Sequence, residues 1–138
     1  MTMNPTKITL ATLAAAFSFA VAASAEDAKL PSASDKKDVT YATDIKPIFD
    51  TSCVKCHSGD KPKARLKMDT LEGALKGSKA GKILTPGDGA NSLLVKAVTH
   101  QLKDSDGWMP PLNNKAGIKP LTPEQIGLLL AWIDQGAK

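Results

Sequence analysis

The chain has little of what small folds usually lean on. Of its 138 residues only two are cysteine and two are histidine, and aromatics make up 4%. One long apolar run occurs near the N-terminus and no second follows it, so nothing after it approaches the ~20 residues of a spanning helix. No stretch alternates apolar and polar residues as strands do, and no internal repeat is present. The formal net charge is only +4, and basic and aromatic residues do not interleave, which argues against a nucleic-acid partner.

The single apolar run reads as a secretory signal. Lys7 precedes it, Ile8 to Ala23 carries no charge over about 16 residues, and Ala23-Ser24-Ala25 forms a small-x-small site before Glu26. An uncleaved anchor is the other reading, but the flanks fit cleavage better. A signal over 1–25 implies a periplasmic protein of 113 residues, one domain's worth. Its aromatics are then Tyr41, Phe49, Trp108 and Trp132. That is thin for an independent core in a chain this small.

What the chain does have is Cys53-Val54-Lys55-Cys56-His57. Two thiols three positions apart can each add to one vinyl group of a haem, and the adjacent imidazole can then reach the iron, which is the c-type attachment signature. One haem c, bonded through Cys53 and Cys56 with His57 on the iron, is the cofactor expected. A buried porphyrin would also supply the missing apolar bulk. A disulfide or a thioredoxin-like site would not require His57, and no βαβ pattern surrounds the pair. A zinc site would need two further ligands, and among histidine and cysteine only His100 remains.

Residues 26–38 are polar with one proline and read as a flexible leader, with the domain proper at 39–138. Ile45, Ile48, Phe49 and Ser52 at helical spacing predict a short helix into the motif, with Pro47 early in it. Asp69 or Thr70 can cap a helix through Lys76, and Asn91 or Ser92 can open another carrying Leu94, Val95 and Val98. Residues 103–121 read as a long loop, which in a small domain is usually functional. The last helix has the clearest start, with Thr122 as N-cap, Pro123 at N1 and Gln125 completing a capping box; Ile126, Leu129, Leu130 and Ile133 form its stripe and Gly136 ends it. The fold class expected is all-α.

In this order the chain resembles a class I mono-haem c-type cytochrome over about residues 40–137, and it is similar to the small cytochrome c domains found in planctomycete proteins. The runs that carry the likeness are Asp44-Ile45-Lys46-Pro47-Ile48-Phe49, Leu66-Lys67-Met68-Asp69-Thr70, Met109-Pro110-Pro111 and Leu121-Thr122-Pro123-Glu124-Gln125-Ile126. The resemblance implies a cytochrome c-like fold, with N- and C-terminal helices crossing and short helices and long loops wrapped around one covalent haem. It also implies that Phe49 packs at the crossing against Trp132. Ile45 departs from the pattern, standing where many class I cytochromes place glycine.

His57 should ligate as neutral imidazole, its other ring nitrogen donating to a carbonyl of the 58–66 loop, Pro62 or a neighbour. For the opposite face the pool is Met68, Met109 and His100. Met109 lies 52 residues beyond His57, and the two prolines after it restrict the backbone and can hold a thioether in place at low entropic cost. Its other reading is a core gap-filler. The resemblance also places the sixth ligand on Met109, and makes Met68 haem-pocket packing. His100 could cap the preceding helix, and Trp108 either lines the pocket or bonds a propionate.

Histidine and methionine on one iron raise its potential relative to two histidines and leave no open position. The function expected is an exported, monomeric carrier of single electrons between donor and acceptor redox proteins. It is not an enzyme, and it meets the membrane only through those partners. Lysines at 46, 55, 61, 63 and 67 could steer it to acidic partners or simply form a solvated face. The alternatives are a haem enzyme or sensor with an open iron, and an accessory subunit of a periplasmic oxidoreductase.

Overall fold

Helix formation begins at Thr40, whose hydroxyl accepts from the Thr43 amide while the Asp44 carboxylate accepts from the Thr40 amide at 3.0 Å. Donors that a helix start leaves bare are thereby satisfied. The computed structural model describes residues 30–138; the expected signal, 1–25, and the first residues of the leader lie outside the described residues. Tyr41–Ile45 is a π-helical turn, and α1 (Lys46–Ser52) continues directly from it with Pro47 in its first turn, where a missing N–H is tolerated.

Short α2 (Leu71–Lys76) is capped by Thr70, whose Oγ1 accepts from the Gly73 amide at 3.1 Å. It ends at Gly77, at φ 90°, where a Cβ would stand 2.5 Å from the Gly81 carbonyl oxygen, so only glycine fits. Before α3 (Leu93–Val98), Ser92 holds the N-cap position but does not cap. Its buried hydroxyl instead accepts from Thr85 N at 2.8 Å and donates to Asp88 O at 3.0 Å, closing the preceding turn. In α4 (Pro123–Asp134) the Thr122–Gln125 capping box forms in both directions, as its spacing predicts. Among the described residues there is no strand, only an isolated bridge between Ser78 and Gly81, and no helix long and apolar enough to cross a membrane. The class is all-α.

The core centres on three rings. Phe49 and Trp132 meet edge to face at 6.1 Å, and Tyr41 completes the cluster at 6.0 Å from Phe49 and 6.2 Å from Trp132. The expected Phe49–Trp132 pair is present, but Tyr41 was not foreseen as its third member. Ile45, the departure from the glycine pattern, is fully buried in the same cluster. Lys138 O accepts from both Trp132 Nε1 and Tyr41 N at 2.9 Å, joining the end of α4 to the start of the first helical stretch.

Residues 30–38 depart from the flexible leader expected of them. Ser34 N donates to Gly127 O at 2.9 Å, and Gln135 reaches back to bond Lys36 O and Val39 N, so the segment is strapped along α4. Composition signals disorder only when a segment finds no partner, and here α4 supplies the backbone partners. The strap needs Gly127, because a Cβ there would lie 2.7 Å from Ser32 O. Gly127→Ala gains about 1 kcal/mol of helix propensity while pushing on that oxygen. The expected result is a nearly unchanged melting temperature with several-fold faster tryptic cleavage at Lys36 and Lys37. Unchanged cleavage would show that the strap shifts without letting go.

Candidate functional site

The chain does not straighten after α1. Cys53 N and Val54 N both donate to Phe49 O, at 2.8 and 2.9 Å, and Cys56 N and His57 N both donate to Cys53 O, at 3.1 and 2.9 Å. These turns gather both cysteines and His57 within one compact coil at the end of the helix. Both thiols are free and half-buried, and Cys53 packs with Val54 against the core.

Burial, with a smaller contribution from Cys56, pushes the Cys53 thiol up to about 12. A thioredoxin-like site needs the reverse, a thiol made acidic by its surroundings. The raised value also sets a pH dependence. The folded chain disfavours the Cys53 thiolate, so this group's contribution to stability is fully present below its ordinary value of 9.0 and is lost as pH rises towards about 12. Haem-free protein is therefore expected to lose denaturant resistance across that window, and a Cys53→Ala variant to lose less. Equal slopes for the two would refute the burial of this thiol.

His57 is 8% exposed, and its Nδ1 faces Lys63 O at 3.0 Å. A carbonyl can only accept, so Nδ1 carries the proton and the neutral ring keeps its lone pair on Nε2. Burial pushes the imidazole below its ordinary value, and the Lys63 carbonyl offsets part of that shift. The acceptor is thus the neighbour of Pro62, and the reason lies in the backbone. Ala64 and Arg65 both sit at φ 55°, a left-handed conformation costing about 1–2 kcal/mol per non-glycine residue. Three bonds hold the loop in that shape: Lys63 N to Cys56 O at 3.0 Å, Met68 N to His57 O at 2.8 Å, and Lys79 N to Ala64 O at 2.8 Å.

Met109 comes from a different anchor. Its amide donates to Ala97 O near the end of α3 at 3.0 Å, and the half-buried side chain packs against the same core as Cys53, Val54, Leu71 and Leu75. Met68 is 2% exposed, with its carbonyl accepting from the Tyr41 hydroxyl at 3.3 Å. Trp108 Nε1 donates to Leu102 O at 2.8 Å, so a backbone carbonyl takes the N–H that the sequence offered to a propionate. Its ring lies flat on His100, centroids 4.8 Å apart and planes within 4°. That stack was not legible beforehand, since residues 100 and 108 share no element and no spacing signal.

Two free thiols and an imidazole with its lone pair on Nε2 are the donor set that covalent haem attachment uses, and the three residues are held together by one turn. The family model described as Planctomycete cytochrome C matches residues 53–113, a span that holds the cysteine pair, His57 and Met109. No curated protein and no solved structure matches the chain.

Proposed function

We propose that the protein is an exported mono-haem c-type cytochrome that carries single electrons between two redox proteins, a reading supported by the match of the planctomycete cytochrome c family model to residues 53–113. Cys53 and Cys56 would hold the haem through two thioether bonds, each made by adding a thiol S–H across one vinyl group. His57 would hold the iron through Nε2, which keeps its lone pair because Lys63 O takes the Nδ1 proton. Met109 would supply a thioether as the second protein ligand to the iron. The bound haem supplies one-electron exchange at iron. Ile45, Phe49, Trp132 and the rest of the buried cluster exclude water from the core, which supports reading the all-α chain as a cytochrome c-like fold. Exposed lysines 55, 61, 63 and 67 surround the motif and favour acidic partners, an attraction limited to about 8 Å at physiological salt.

The observation that carries this reading is the Lys63 carbonyl on His57 Nδ1, beside two free thiols in one turn. The test is an absorption spectrum of the protein matured in a cell with a haem-attachment system, oxidised and reduced, together with carbon monoxide binding. A covalent haem c spectrum, a faint red charge-transfer band in the ferric state and indifference to carbon monoxide are expected. Rapid stoichiometric carbon monoxide binding would instead favour an enzyme or sensor.

A further inference from the structure

We propose that Trp108 is a positioning residue, and that its stack on His100 fastens the Met109 thioether in place; the proposal rests on Met109 being the sixth ligand. Ala97 O accepts from both His100 N at 3.2 Å and Met109 N at 3.0 Å. One carbonyl therefore closes the base of the whole excursion between those residues. Inside it, Ser105–Gly107 makes a single 3-10 turn, held by the Asp104 carboxylate accepting from Asp106 N at 3.0 Å. Such a loop has few apolar contacts of its own, since residues 103–106 are all exposed. Trp108 supplies the missing stiffness, being bonded to Leu102 O on one edge and covered by His100 on one face.

His100 itself is held at a cost. It sits at φ 57° as the left-handed residue that closes α3, with His100 N bonded to Ala97 O at 3.2 Å and Gln101 N to Lys96 O at 2.9 Å, and its Nε2 is buried with no hydrogen-bond partner. The backbone turn serves α3, which ends at Val98, but the buried and unpartnered Nε2 does not. What the burial of the ring achieves is a flat contact with Trp108, immediately before Met109. The stack thus couples the rigid end of α3 to the residue that must meet the iron. Without it, Met109 keeps only its amide bond to Ala97 O and its side-chain packing.

The experiment uses haem-loaded full-length protein and three variants: Trp108→Ala, Trp108→Phe and His100→Asn, the last chosen because asparagine tolerates the left-handed backbone. Three signals are read: the ferric charge-transfer band, carbon monoxide affinity of the reduced form, and helix content. Trp108→Ala is expected to weaken the band and to raise apparent carbon monoxide affinity by about tenfold or more, in proportion to the population with Met109 off the iron. His100→Asn should do the same to a smaller degree, and Trp108→Phe should restore most of the band by keeping a stacked ring. Wild-type band strength in both Trp108→Ala and His100→Asn, even with a lowered melting temperature, would overturn the positioning role alone. Absence of the band from the unmutated protein would overturn Met109 ligation, and the positioning role with it. If Trp108→Ala fails to fold, His100→Asn against Trp108→Phe still decides.

Discussion

Replacing Cys53 and Cys56 together by alanine is expected to give a colourless protein whose mass matches the bare polypeptide. On the proposed reading each thiol forms one of two thioether bonds, and the sequence holds no further cysteine to substitute. Either single variant should retain one bond and a fraction of the haem signal after denaturing electrophoresis, whereas the double variant should retain none. The loss should extend to stability. A domain of this size is held by only about 5–15 kcal/mol, and its ring cluster is confined to Tyr41, Phe49 and Trp132. Removing a large apolar group from such a core should lower the melting temperature by well over ten degrees, at about 4–8 °C per kcal/mol. A double variant that stays red after denaturation would end the attachment reading.

The second large effect is expected at Trp132. Its side chain is fully buried, meets both Phe49 and Tyr41, and donates Nε1 to Lys138 O. Trp132→Ala should cost about 3–5 kcal/mol from lost burial and the cavity left behind, with part of the aromatic pairing, about 0.5–1.5 kcal/mol per pair, lost as well. That is a large share of total stability, and the haem-free variant should be substantially unfolded in mild urea. Trp132→Phe should cost less, because two ring contacts can survive and Lys138 O still accepts from Tyr41 N. Urea titration followed by circular dichroism measures both. A cost below about 0.5 kcal/mol for the alanine variant, within the range of an ordinary surface change, would show that the three-ring cluster does not centre the core.

How much of this was legible beforehand depended on the range of each interaction. The Thr122–Gln125 box and the Thr70 cap lie within one turn of their partners, and both formed as read. Ser92 opens α3 at the position read, but its hydroxyl does not cap the helix because Thr85 N and Asp88 O take it. The Phe49–Trp132 contact came from a resemblance, not from spacing. Tyr41 was missed as its third ring because a lone aromatic before a proline-bearing helix has no periodic signature. The strap over α4 was misread for a related reason: residues 32–38 are polar and mostly exposed, yet their backbone bonds to Gly127 and Gln135.

The amino-acid order alone determined the donor groups at 53–57, the helical class and the helix starts whose caps are local. Each of these follows from which groups stand within a turn or two of one another, and a bare chain already specifies that. Folding decided which carbonyl holds His57, what covers α4, and how Trp108 is braced against His100. Those outcomes turn on the direction of a backbone group, as at Ala64 and Arg65, or on contacts between segments far apart in the chain, as between Val39 and Gln135. Such directions and meetings come into being only when the whole core packs.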